Sequence, residues 1–104
     1  MRVYISGPMT GLPDLNRGAF AQCQDDIRDA GMDAVNPHDL CQPEWDWSKC
    51  MRADIRALCD CDAIYMLPGW EKSNGAQLEL HIAHRLGLIV LLTHPDLLRL
   101  GGLL

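Results

Sequence analysis

The apolar positions of this chain change period several times, and each change marks an element. RVYIS at residues 2–6 is rich in β-branched and aromatic side chains and predicts a strand. Glycines and prolines in GPMTGLPD, residues 7–14, break any regular element and predict a loop. Phe20, Cys23, Ile27 and Ala30 then recur at helical spacing, with Asn16 placed to cap the helix and Gly31 to end it in a left-handed conformation. MDAVNP, residues 32–37, predicts a short second strand stopped by Pro37. An irregular stretch follows, HDLCQPEWDW at residues 38–47. Met51, Ile55 and Leu58 then define one face of a second helix, capped by Ser48 and running to about residue 59. AIYMLP at 63–68 predicts a third strand, a third helix spans about 74–86 and ends at Gly87, and LIVLL at 88–92 predicts a fourth strand. The tail HPDLLRLGGLL suits one helical turn.

Strands that alternate with helices imply an α/β fold, with a mostly parallel sheet and right-handed crossovers. The third and fourth strands are nearly all apolar, as a strand covered by helices on both faces must be. A strand order of 2-1-3-4 puts a topological switch between strands 1 and 3, and open α/β sheets bind ligands at the carboxyl ends of such strands. The chain has no internal repeat or linker, so residues 1–104 form one domain.

Charge and composition narrow the partners. The formal net charge is −5, and Arg and Lys are scattered without a basic block. A nucleic-acid polymer needs clustered cations, so none is expected as a partner. No apolar run is long enough to cross a bilayer, and the N-terminal RVYIS reads as a strand and not as a signal peptide, so no membrane partner is expected either. The cysteines, Cys23, Cys41, Cys50, Cys59 and Cys61, are odd in number and follow no secretion signal; reduced thiols in the cytoplasm are expected. Cys59 and Cys61 form C-x-C with nothing to complete a zinc site, and His81 and His84 lack a third ligand, so no metal is expected and the two histidines suit a surface or an interface.

Two carboxylates stand out. Glu79 falls inside the apolar arc of the third helix, among Ala76, Leu80, Ile82, Ala83 and Leu86. A glutamate there either bonds a neighbouring loop or pairs with Arg85 or His81, or it faces a ligand from the floor of a cleft. Asp54 flanks the buried stripe of the second helix between Met51 and Leu58, with Arg52 and Arg56 as alternative surface partners. A helix–strand–helix unit brings both carboxylates toward one end of the sheet. Two carboxylates across a pocket are the equipment for cleaving a glycosidic bond, provided their surroundings set their pKa values apart.

Two loops offer donors. Ser73, Asn74 and Gly75 open the third helix, where they either cap it or hold a sugar hydroxyl or phosphate. SGPMTG, comprising Ser6, Gly7, Pro8, Met9, Thr10 and Gly11, follows the first strand, and its glycines permit close backbone approach. Neither loop matches a P-loop or G-x-G-x-x-G. Tyr4 sits in the first strand near the switch. Trp45, Trp47 and Trp70 lie outside the regular elements, either as stacking faces for a nucleobase or folded over the core.

RVYISGP, NP after the second strand, DIRALCDCDAIYML and SNGAQLELHIAHRLG together resemble the nucleoside 2-deoxyribosyltransferase-like superfamily, and within it small phage and prophage proteins. The resemblance covers residues 1–92, and its most specific part is D-x7-D before the third strand with S-x-G-x3-E after it. It implies a Rossmann- or flavodoxin-like three-layer sandwich with a mostly parallel sheet of four to five strands, a homodimer or higher homo-oligomer, and no cofactor. It implies Glu79 as nucleophile, Asp54 as acid, Tyr4 as the residue that orients the nucleophile, and Ser73 as a phosphate-binding serine. Asp62, opening the third strand, is matched to a residue that shapes the binding loop. The chain is shorter than the transferases, its tail LLRLGGLL lacks their polar or aromatic C-terminal elements, and the insert 38–47 is unlike the hydrolases. The expected function is cleavage or transfer at the N-glycosidic bond of a nucleoside or nucleoside 5′-monophosphate. Two alternatives stand beside it: a module of the same fold that binds a nucleotide without cleaving it, and an interaction protein that meets its partner through loop tryptophans.

Overall fold

In the computed structural model, which describes residues 1–104, β1 (Arg2–Ser6) and β3 (Ala63–Met66) form the centre of a sheet with β2 (Asp33–Val35) and β4 (Ile89–Leu91) at its edges. All pairings are parallel, as the alternation of elements implied, and the order is β2-β1-β3-β4, the order expected. Tyr4 sits opposite Val35 on one side and Ile64 on the other, and Ser6 opposite Met66. Parallel neighbours need long crossovers. These are supplied by α1 (Arg17–Asp29), α2 (Trp47–Cys59) and α3 (Asn74–Arg85), with α4 (His94–Gly102) following β4.

The period-2 alternation of β1 divides the core in two. Val3 and Ile5 pack with Phe20, Cys23 and Ile27 of α1 and with Leu97 and Leu100 of α4. Tyr4 points the other way, into a cluster with Leu58 of α2 and Ala76 and Ala83 of α3. The result is a three-layer sandwich of Rossmann/flavodoxin type. No helix is long and apolar enough to cross a membrane.

Helix ends differ from expectation where a nearer cap was available. α2 starts at Trp47 and not after Ser48, because the Asp46 carboxylate accepts the Lys49 N–H at 2.8 Å. Asn16 precedes α1 in a left-handed conformation, φ 62°, and its amide donates to the Pro8 carbonyl at 3.0 Å instead of capping. Gly31 ends α1 with φ 87°, in the left-handed region that suits glycine. The tail makes more than one turn: Thr93 and Asp96 form a reciprocal capping box that starts the nine-residue α4.

The cysteines require a correction. Cys41 and Cys50 form a disulfide, with Cα atoms 5.1 Å apart, and only Cys23, Cys59 and Cys61 are free thiols. The irregular segment after β2 turns back along the start of α2 and so brings two cysteines together that spacing alone did not pair.

Candidate active site

The loops after β1 and β2 and the starts of α2 and α3 gather at the carboxyl ends of the strands. They enclose a pocket of about 840 Å³, within the usual range for a small-molecule site. Gly7, Pro8, Met9 and Thr10 line it from the loop after β1, and Ser73, Asn74 and Gly75 from the start of α3. Two glycines are needed for this closeness. A Cβ on Gly7 would stand 2.7 Å from Leu67 Cβ, and one on Gly75 would stand 3.2 Å from Met51 Sδ on α2.

Glu79 and Asp54 both line this pocket, and both are buried, at 4% and 7% exposure. Glu79 pairs with neither Arg85 nor His81; its partners come from β1. The Tyr4 hydroxyl donates to Oε2 at 2.5 Å and the Ser6 hydroxyl donates to Oε1 at 2.6 Å. Residues 4 and 6 leave the same face of a strand, which is why both reach one helix side chain. Asp54 is different. Its Oδ1 is buried with no hydrogen-bond partner, and neither Arg52 nor Arg56 pairs with it.

Burial raises both acids. The Asp54 carboxyl is pushed up to about 7 by burial. Glu79 is pushed up to about 7 by burial above all; the hydrogen bonds from Ser6 and then Tyr4 pull it down, and the charge of Asp54 pushes it up. The Tyr4 hydroxyl is held well above its ordinary pKa by burial and by the two nearby carboxylates, so it stays a donor. Two donors face Glu79 and none faces Asp54. Hydrogen bonds to the charged form stabilise that of Glu79 and do nothing for Asp54, while burial opposes ionisation of both, so the two titrate near 7 as a coupled pair.

The other expected site residues divide. Ser73 caps α3, its Oγ accepting the Ala76 N–H at 3.2 Å, and it also lines the pocket. Tyr4 and Ser6 lie beneath Glu79 and not on the pocket wall. Gly11, with φ 83°, lies outside the lining. Trp70 packs against the α2–α3 core, also outside it. Asp62 is at the other end of the sheet: its carboxylate accepts the Arg2 N–H at 2.9 Å, and its carbonyl accepts the Ile89 N–H. It precedes β3, so it stands at the amino ends of the strands, away from the pocket.

Three lining residues went unnoticed in the sequence. Arg17 and Lys72 bring cations to the wall, and His38 contributes a buried Nε2 without a partner. Burial and then the charge of Arg17 lower the pKa of His38. Lys72 stands next to Ser73, and Arg17 opens the helix after the glycine loop; adjacency to those loops was the available signal. Trp45 and Trp47 both line the pocket.

The fold is nucleoside 2-deoxyribosyltransferase-like. A 2-deoxyribosyltransferase from Leishmania mexicana superposes with a TM-score of 0.68 at 22% identity, over 86% of this chain and 61% of that one. A 2-deoxyribosyltransferase from the psychrotolerant bacterium Bacillus psychrosaccharolyticus gives 0.69 at 16% identity, over 86% and 69%. The chain thus spans about three-fifths of the length of the Leishmania protein. Among curated proteins none matches the chain. A family model described as a domain of unknown function, DUF4406, matches residues 1–92.

Proposed function

The chain belongs to the DUF4406 family, and from that premise and the geometry of the pocket we propose that it cleaves or transfers at the N-glycosidic bond of a nucleoside or nucleoside 5′-monophosphate. The observation that carries the reading is the asymmetry of the two buried carboxyls: Glu79 is held by two hydroxyl donors, while Asp54 has a buried oxygen with none. One is equipped as a nucleophile and the other as an acid.

In this mechanism a Glu79 oxygen attacks C1′ of the sugar and forms a glycosyl ester. The C1′–N bond breaks, its electron pair goes to the base, and Asp54 gives its proton to the leaving base. Asp54, now a carboxylate, takes a proton from water or from a second base as that nucleophile displaces Glu79 at C1′. Tyr4 orients Glu79. Ser73, Asn74, Gly75 and the loop Gly7–Thr10 hold the sugar, with Arg17 and Lys72 as countercharges for a 5′-phosphate.

A module that only bound a nucleotide would have no use for two desolvated carboxyls, which cost stability when ionised. The test is incubation with a panel of deoxynucleosides and their monophosphates, with free base followed by chromatography. Wild type releases base, Glu79→Gln releases none, and Asp54→Asn is slowed by about 10²–10⁴-fold. Turnover that persists in Glu79→Gln overturns the nucleophile. Tight binding with the ligand recovered whole establishes the binding module instead.

A further inference from the structure

Ser6 was expected to touch substrate. Its side chain is instead only 1% exposed, and its hydroxyl is spent on Glu79 Oε1 at 2.6 Å. Tyr4, two residues earlier on β1, holds Oε2. The terminal torsion of a glutamate is broad and roughly two-fold, so a carboxylate held by one donor still turns about its last bond. Two donors on one rigid strand remove that freedom. β1 runs toward the pocket, and the residue after Ser6, Gly7, lines it. Ser6 and Tyr4 therefore hold the two carboxylate oxygens from beneath the pocket, with Ser6 one residue from its lining.

We propose that Ser6 is a positioning residue for the Glu79 nucleophile, fixing the plane of the carboxylate by its second oxygen so that one lone pair faces the sugar carbon. The proposal rests on the reading of Glu79 as nucleophile given above. It accounts for a polar side chain at a fully buried position in a central strand. It also explains how Glu79 stays ionised: of the influences on it, the Ser6 bond is the largest that acts against burial. The charged and titratable groups around Glu79 are Tyr4 from β1 and Asp54 from α2, with Arg17, His38 and Lys72 elsewhere on the pocket wall. Only Ser6 and Tyr4 donate to it.

The experiment compares wild type, Ser6→Ala, Ser6→Thr and Ser6→Cys by two readouts. The first is kcat and KM for deoxynucleoside cleavage across pH. The second is the titration midpoint of the Glu79 carboxyl, followed by ¹³C NMR without substrate. In Ser6→Ala, kcat falls by about ten- to a hundredfold with little change in KM, as misplacement of a reacting group requires. The acidic limb of the profile and the NMR midpoint both move up by about one pH unit, the shift expected on losing one hydrogen bond to a charged group. Ser6→Thr, which keeps the hydroxyl, returns both toward wild type. An acidic limb and midpoint that stay put in Ser6→Ala overturn the proposal. If Ser6→Ala does not fold, Ser6→Cys decides, because its weaker donor must give a smaller upward shift and an unmoved midpoint refutes the idea. If wild type cleaves no nucleoside, the enzymatic reading fails by itself, and the NMR midpoint alone judges whether Ser6 holds the carboxylate.

Discussion

Asp54 and Glu79 are alike in burial and unlike in partners, and the difference has a thermodynamic consequence. Each carboxyl binds its proton more tightly in the folded chain than in the unfolded one, with a folded pKa near 7. Between about pH 4 and pH 7 the native state therefore holds more protons than the unfolded state, and stability falls as pH rises through that window. Above pH 7 the full cost is present, and below pH 4 it has vanished. Asp54→Asn removes the charge while leaving the shape, so at pH 8 it should be more stable than wild type by about 1–3 kcal/mol. At pH 4 the two should be nearly equal. Urea unfolding at both pH values measures this, and a variant less stable than wild type at pH 8 contradicts it. That Glu79 is buried was legible from its place in the helix arc. That Tyr4 and Ser6 hold it was not, because they lie 75 and 73 residues away.

Among the elements, α4 shows what a cap can do. The tail HPDLLRLGGLL contains two glycines, which disfavour a helix. Thr93 nonetheless starts one, with its hydroxyl accepting the Asp96 N–H at 3.2 Å while the Asp96 carboxylate accepts the Thr93 N–H at 3.1 Å. Leu97 and Leu100 then bury against β1 and α1. Thr93→Ala should cost about 1 kcal/mol and lower the melting temperature by several degrees, measured by thermal denaturation. The same kind of local competition misplaced the start of α2, where Asp46 outcompeted Ser48 as cap. Element existence followed from periodicity, whereas exact ends depended on which nearby oxygen reached a free N–H. The Cys41–Cys50 pairing belongs to this scale too, since it depends on how an aperiodic segment folds back.

For the whole molecule, the order β2-β1-β3-β4 brings α2 and α3 onto one face and their pocket-side residues to one end of the sheet. Two acids of similar pKa on one pocket would make the proposed activity sharply pH-dependent. The proposed mechanism needs Glu79 ionised and Asp54 protonated, so on it the rate should fall below pH 7 as Glu79 gains a proton and above it as Asp54 loses one. A narrow bell centred near pH 7 is expected for kcat/KM on a deoxynucleoside, its limbs belonging to the coupled pair. A flat profile from pH 5 to 9 rules this out.

The residue pattern by itself determined the alternation of strands and helices, the place of Glu79 inside the apolar arc of its helix and the flanking place of Asp54. These follow from periods of two and 3.6 residues, which depend only on neighbours along the chain. The tertiary structure alone decided which donors meet Glu79, that Asp54 has none, and that Arg17 and Lys72 reach the pocket wall. Those relations join residues from different crossovers, and their distances are set by how the helices pack on the sheet, a quantity that no local period encodes.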